Sequence, residues 1–292
     1  GSAVIRALKP QGYYFRRLVR PPRKPGKPHK DPPGSTVLWN PAEQQIETER
    51  LHGHRVVIHL AGERVVGRWT EKKKQAIRDS RVQGTQLLSE ALAELPDPPR
   101  VLIQASAVGY YGDRGDEILD ETAEPGEGLL PEVARQWEAA SAAARQRGIR
   151  VVKLRIGVVL SNRGGALPSM AIPFRFGLGG VIGSGRQYMP WVSLDDVVGM
   201  IQWAIEDDRV EGPINAVAPQ QTTNWDFTLA MGRAVKRPTI LPLPAFVVRT
   251  VFGQMGEELM LASTRAVPRK AEALAYPFRD PQLQPTLNRL LR

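Results

Sequence analysis

Cysteine is absent from the chain, which excludes disulfides, thiolate metal sites and a cysteine nucleophile. A cysteine-free chain fits a reducing compartment, and the cytoplasm is the expected location. Histidine is scarce. His29, His52, His54 and His59 are the whole set, without the spacing and third ligand of a zinc centre, so no metal site is expected. Long apolar runs are also missing. No stretch reaches the roughly 18–20 apolar residues of a membrane span. Residues 239–253 come nearest, and prolines and Arg249 interrupt them. No membrane partner is expected, and no secretory signal pattern stands at the start. No internal repeat is present.

An excess of positive charge is missing from most of the chain. The formal net charge is +10, yet residues 1–30 hold nine Lys/Arg and no acid, leaving 31 basic against 30 acidic residues elsewhere. A charge so local can neutralise the phosphate of a nucleotide cofactor. Nucleic acid is not the expected partner, because the body of the chain is balanced.

What is present is enough apolar residue for a large core. Of 292 residues, 42% are hydrophobic and 24% charged, ordinary values for a globular α/β chain. Its centre is the stretch 101–117, VLIQASAVGYYGDRGDE. Val101-Leu102-Ile103 reads as a buried strand. Ser106, Gly109, Tyr110 and Tyr111 follow, which places hydroxyls at the carboxyl edge of a sheet. In an open α/β sheet ligands bind at that edge.

Residues 1–8 read as a helix ended by Gln11-Gly12, and residues 13–20 as a strand. A helix feeding a strand is the second half of a βαβ unit. The first strand of such a unit, with its glycine turn, is not in the sequence, so the chain reads as starting late. Gly1 is then either the last glycine of a dinucleotide fingerprint or part of an appended Gly1-Ser2 dipeptide. Arg20 ends the second strand, with Arg23 and Lys24 close behind. An arginine at that place favours the 2′-phosphate of NADP, because a guanidinium matches phosphate bidentately. The alternative is a solvated basic loop over residues 21–34.

Further strands are expected at 36–40, 55–60, 150–160 and 213–218. Residues 55–60 open into Ala61-Gly62, small enough for a cofactor to approach the backbone. Thr70 caps a helix running to about Leu95, with Arg81 in its middle. A helix is expected over 131–147, another over 192–208 begun by Ser193, and a third over 223–235. Residues 163–191 are glycine-rich and read as an irregular lid. Phe174, Phe176, Tyr188 and Trp191 offer apolar contact there, and Arg186 can meet an anion. The tail from about Pro238 is proline-broken and apolar, a small helical appendage on the substrate side.

Several motifs carry a resemblance: His59-Leu60-Ala61-Gly62, Ser80-Arg81, Ser106-Ala107-Val108-Gly109-Tyr110-Tyr111-Gly112, Trp137-Glu138, Arg155-Ile156-Gly157, the run 173–187, Trp191 with Asp195-Asp196, and Asn215 with Ala218-Pro219. Over nearly its whole length the chain resembles the extended short-chain dehydrogenase/reductases. More closely it is similar to their atypical "epimerase family" subgroup with a C-terminal domain of unknown function. The resemblance implies a Rossmann-like, doubly wound parallel sheet that binds NADP over residues 1–235, and a small C-terminal helical domain over 236–292. It implies that Arg20, Leu60, Ala61, Arg81 and Val159 lie on the cofactor, and the reading of the strands and turns adds Gly1, Val19 and Gly62 to that site. The resemblance places Ser106 at the family's carbonyl-polarising hydroxyl; the residues themselves offer Tyr110 or Tyr111 as the catalytic proton group, and Arg186, Gln187 and Trp191 of the lid for a small-molecule substrate. A homodimer is admitted.

The chain departs from the wider family's chemistry. Ordinary members use Tyr-x-x-x-Lys, where the lysine lowers the tyrosine pKa. Here the positions four residues after the six tyrosines are Arg17, Leu18, Arg114, Gly115, Val192 and Asp280. None is lysine, and alignment on Glu138 puts Leu130 and Ala134 at the pair's place. The expected activity is an NADP-dependent oxidoreductase or epimerase acting on a carbonyl, alcohol or sugar-like substrate. The alternative is a catalytically degenerate NADP-binding sensor or scaffold.

Overall fold

The computed structural model describes residues 1–21 and 34–292; Arg23, Lys24 and His29 lie outside the described residues. Helix α1, Ser2–Leu8, opens the chain, and Gly12, at φ 85°, turns it away. Strand β1, Arg17–Val19, pairs in parallel with β2, Thr36–Asn40. Strand β3, Gln45–Ile46, joins β2 antiparallel.

Next come β4, Val56–His59, then α2, Glu71–Ala93, and β5, Val101–Ala107. The Thr70 side chain caps α2 by accepting from the Lys73 amide. The short β6, Ile118–Leu119, is followed by α3, Leu129–Ala139, and α4, Ala142–Gln146. Strands β7, Arg150–Ile156, and β8, Val158–Leu160, lead to α5, Ala166–Arg175. After β9, Trp191–Ser193, come α6, Leu194–Glu206, and β10, Gly212–Ala216. The chain closes with α7, Asn224–Val235, α8, Ala245–Gly256, β11, Arg265–Ala266, α9, Arg269–Ala273, and α10, Leu283–Leu290.

The main sheet runs β10-β7-β5-β4, all parallel. It is covered on both faces, as a parallel sheet must be. Strand periodicity sorts β5: Val101 and Ile103 pack with α1 and α6, while Leu102 packs with α2 and α4. The sheet is Rossmann-like and doubly wound. Among the described residues β1-β2-β3 form a separate sheet.

Three expected elements come out differently. The 131–147 helix divides into α3 and α4, because the Ser141 hydroxyl donates back to the Glu138 carbonyl and the chain turns there. The 150–160 strand divides at Gly157, whose amide bonds the Ala216 carbonyl. A Cβ at Gly157 would stand 2.7 Å from the Pro190 carbonyl oxygen, so only glycine lets β8 leave the sheet and pair with β9. The 163–191 lid is not wholly irregular. It contains α5, whose Leu167, Ala171 and Phe174 are buried with Phe227 and Met231 of α7.

The tail is packed into the body. Leu283, Leu287 and Leu290 of α10 share that same core, and β11 pairs with β6.

Candidate active site at the carboxyl edge of the sheet

At the end of β4 the chain opens through Leu60 and Ala61, both half-buried, into exposed Gly62. Helix α2 holds the loop that follows. The Glu63 amide donates to the Ser80 hydroxyl at 2.9 Å, and Arg81 Nη1 donates to the Glu63 carbonyl at 3.0 Å. The Lys73 ammonium meets the Glu63 carboxylate at 2.6 Å. That hydrogen bond, with help from Arg20 and Arg81, holds the carboxyl below its ordinary range. Arg81 also stands 5.0 Å above the Trp137 ring, and burial lowers its pKa. A Cβ on Gly62 would come within 3.3 Å of the Arg81 guanidinium carbon. Arg81 therefore shapes the loop as well as carrying charge to it.

Gly1, Leu60 and Ala61 line one cavity of about 330 Å³. Val19 is half-buried at the end of β1, and the Arg20 guanidinium is exposed beside it. Val159, half-buried on β8, packs against the core that α1 and α6 cover. Arg20 and Arg81 are cations beside the small residues Ala61 and Gly62, groups of the kind a nucleotide phosphate pairs with, although Arg81 Nη1 is already bonded to the Glu63 and Ile77 carbonyls.

The second half of the site grows from β5 and β7. Arg155 of β7 is buried, and it grips Glu138 of α3 with Nε at 2.8 Å and Nη2 at 3.0 Å. The Ser106 hydroxyl, at the end of β5, donates to the same Glu138 Oε1 at 2.7 Å and is 3% exposed. Arg155 Nη1 donates to the Tyr111 hydroxyl at 2.9 Å. That hydroxyl lies 2.7 Å from Asn215 Oδ1 and 2.9 Å from the Asp120 carbonyl, either of which can take its one proton. Tyr111 is fully buried, and burial pushes its pKa up to about 12 despite Arg155. Tyr110 is the half-exposed member. Its ring lies under the Arg155 guanidinium, 3.6 Å from centroid to carbon, and edge-on to Tyr111.

The sequence pattern shows no lysine for these tyrosines. The fold supplies Arg155 as their cation instead. It does not lower the Tyr110 pKa, because burial outweighs the cation and the shift is upward.

Burial costs Arg155 some of its charge preference, but the Glu138 carboxylate outweighs this and raises its pKa. Sequence reasoning carried Glu138, Arg155 and Asn215 inside motifs without giving them a role. The signal was available: an arginine among the buried residues of a strand and a glutamate on an apolar helix face each need a partner. Glu121 was missed entirely. It is buried, accepts from the Asn215 and Lys270 amides, and burial raises its pKa.

The three substrate-side residues separate. Arg186 is exposed. Gln187 is buried and donates to the carbonyls of Ile182 and Met260. Trp191 is 1% exposed, with its indole N–H bonded to the Thr222 hydroxyl at 3.0 Å. The last two fasten the wall behind the edge. Of the lid's aromatic residues, Phe176 points into solvent while Phe174 is buried.

Among the described residues no group of metal ligands is present and no helix is long and apolar enough to cross a membrane. Residues 1–217 match the family model described as NAD dependent epimerase/dehydratase. The chain belongs to that family. Residues 243–290 match a second model, a domain of unknown function.

An epimerase family protein of Mycobacterium tuberculosis is 41% identical over 280 residues, covering 95% of this chain and 89% of its own. The mouse epimerase family protein SDR39U1 is 36% identical over 294 residues, covering 98% and 94%. Among solved structures, human SDR39U1 isoform 2, crystallised with NADPH, superposes with a TM-score of 0.85 at 31% identity, covering all of this chain and 95% of that one. A nucleoside-diphosphate sugar epimerase from Corynebacterium glutamicum superposes at 0.79 and 37% identity, covering all of this chain and 55% of that one.

Proposed function

We propose that this epimerase-family chain binds NADP(H) and acts as an oxidoreductase or epimerase on a small carbonyl, alcohol or sugar-like substrate. The observation that carries the reading is the exposed Arg20 at the end of β1, in a chain of the same fold as the NADPH-bound human relative. The residues that would hold the cofactor are Gly1, Val19, Arg20, Leu60, Ala61, Gly62, Arg81 and Val159. When bound, NADP(H) supplies or accepts a hydride.

The chain's own task is to place the substrate oxygen and handle its proton. Tyr110 is the proton group, because its phenol is the half-exposed one and its raised pKa keeps it protonated and able to donate at neutral pH. In the reducing direction its proton goes to the oxygen as the carbon accepts hydride. In the oxidising direction only the tyrosinate form can accept the alcohol proton, and the upward shift makes that form scarce at neutral pH, so reduction is the favoured direction. Ser106 acts on this arrangement from beneath, through Glu138 and Arg155. Arg186 meets an anionic part of the substrate.

Separate titrations of NADPH and NADH, read by quenching of tryptophan fluorescence, test the cofactor. Preference for NADPH that disappears in Arg20→Glu supports the reading; equal affinity for both in the parent chain overturns it.

A second reading is favoured by one observation. The Ser106 and Tyr111 hydroxyls are fully used inside the protein, and Leu130 and Ala134 stand in the place of the usual acid/base pair. On that reading the chain binds NADP as a sensor or scaffold. A panel of carbonyl and sugar substrates that yields no NADPH oxidation, with tight NADPH binding intact, would select it.

A further inference from the structure

Exposed apolar side chains gather where the lid meets the start of α8. Phe176 and Leu178 stand on the turn after α5, Ile240 and Leu241 on the segment before α8, and Phe246 on α8 itself. Backbone contacts make these one surface. The Leu243 amide donates to the Val181 carbonyl at 2.8 Å, and the Gly183 amide donates back to the Leu243 carbonyl at 2.9 Å. The Gly180 Cα lies so close to the Leu241 carbonyl that no Cβ fits between them. The Leu178 amide ties the turn to the Pro173 carbonyl of α5 at 2.8 Å. Trp225, also exposed, joins at the edge, where its amide donates to the Gly185 carbonyl at 2.9 Å.

The same two stretches of chain carry charge of one sign. Residues 161–191 hold Arg163, Arg175 and Arg186 and no acid. Residues 227–256 hold Arg233, Lys236, Arg237 and Arg249 and no acid. Arg249 meets Glu257 at 3.4 Å. The other basic side chains are exposed and have no hydrogen-bond or ion-pair partner among the described residues. Asp226, beside Trp225, is engaged in the Thr223 cap of α7.

We infer that this face docks the protein on an anionic lipid bilayer. The height of the side chains decides against a groove for a peptide: Phe176, Ile240 and Phe246 are 77, 74 and 70% exposed, so they stand out as knobs. Aromatic and aliphatic knobs enter the headgroup layer of a bilayer, and the bases beside them meet its phosphates. The charge decides against a second copy of the chain. A self-complementary contact would set like charge against like charge. Among the described residues no helix is long and apolar enough to cross a membrane, and lying on the surface needs none. The expectation of no membrane partner rests on that missing span and does not bear on this face. Docking sets the 163–191 lid against the lipid.

This inference does not rest on the proposed cofactor chemistry. The test floats the whole chain, without NADPH, with vesicles of phosphatidylglycerol and phosphatidylcholine in equal parts and with vesicles of phosphatidylcholine alone. The chain should float with the anionic vesicles about tenfold more strongly than with the neutral ones, and less as salt rises. Ile240→Ser with Phe246→Ser should lower the partition about tenfold or more. Lys236→Gln with Arg237→Gln should lower it about twentyfold, roughly fivefold for each charge. All four side chains are exposed, so both double variants should keep the parent's melting temperature. Lipid brominated high on its chains should quench Trp225, and Trp225→Phe should remove that part of the quenching.

No flotation, equal flotation with both kinds of vesicle, or flotation that both double variants leave intact would each overturn the inference. Without flotation, a parent that dimerises and an Ile240→Ser, Phe246→Ser variant that does not would assign the face to a second copy. Saturable binding of polyglutamate without flotation would assign it to an acidic protein. If a double variant fails to fold, the two kinds of vesicle and the Trp225 quenching still decide.

Discussion

Arg155 and Glu138 form a bidentate ion pair, at 2.8 and 3.0 Å, with both side chains under one-tenth exposed. The pair joins the central strand β7 to α3, and Ser106 and both tyrosines are arranged around it. Breaking such a pair from one side leaves an uncompensated charge in the interior. Glu138→Gln should therefore cost about 3 kcal/mol or more of folding stability. The double change Arg155→Met with Glu138→Leu should recover much of that loss. Urea unfolding of the parent and the two variants checks both statements, and a Glu138→Gln loss within experimental error would remove the pair's structural role.

The two tyrosines should answer to different assays. Tyr111→Phe deletes the hydroxyl that Arg155 Nη1 and Asn215 share, at a cost of about 1–3 kcal/mol for the buried groups left unpaired. Tyr110→Phe keeps the ring under Arg155 and should move stability by under about 0.5 kcal/mol. On any substrate found to turn over, Tyr110→Phe should lower kcat by about a hundredfold or more and leave NADPH affinity unchanged. In the parent chain Tyr110, Tyr111 and Tyr276 are all raised, chiefly by burial. Their phenolate absorbance should appear only above the ordinary tyrosine range near pH 10.

His59 makes stability depend on acid. It is buried in β4, bonded to the Thr85 hydroxyl at 3.0 Å, and burial lowers its pKa from 6.5 to about 4. The unfolded chain binds a proton on this side chain below pH 6.5, and the folded chain does so only near pH 4. Its contribution is therefore complete above pH 6.5 and is lost as pH falls through that window, about 3 kcal/mol in all at 1.36 kcal/mol per pKa unit. His59→Gln, which can still bond Thr85, should flatten the stability curve between pH 6.5 and 4. Denaturant midpoints across that range measure it, and an unchanged slope would reassign the acid sensitivity to other groups.

Arg20 should discriminate between the two nicotinamide cofactors. A charge-assisted contact to a phosphate is worth roughly 1.5–3 kcal/mol. Arg20→Glu should thus weaken NADPH binding by about tenfold to a hundredfold and spare NADH. Equal loss for both would show that Arg20 acts on the fold or on the pyrophosphate rather than on the 2′-phosphate.

Gly126 tests a close approach that no motif announced. Its amide bonds the Tyr110 carbonyl at 3.0 Å, and a Cβ there would fall 2.0 Å from the Tyr111 carbonyl oxygen. Gly126→Ala should destabilise by about 1–3 kcal/mol through forced backbone movement and should disturb the Tyr110 environment first. Near-ultraviolet circular dichroism and thermal unfolding read the two effects.

Much of the architecture is local and so was readable in advance. The Thr70, Ser193 and Thr223 caps are each set by a side chain and an amide three residues away. The apolar run that opens β5 announces a strand covered on both faces. The absence of cysteine and the confinement of surplus charge to residues 1–30 needed no fold at all.

The site itself depends on distance in sequence. Arg155 meets Glu138 across 17 residues, Ser106 meets Glu138 across 32, and Tyr111 meets Asn215 across 104. No period or spacing encodes those meetings. They follow from the strand order β10-β7-β5-β4, which brings the ends of three strands and the face of α3 to one point. The same packing decided that Gln187 and Trp191 go inside while Arg186 stays out, because an amide and an indole can satisfy their donors in the interior and an unpaired guanidinium cannot.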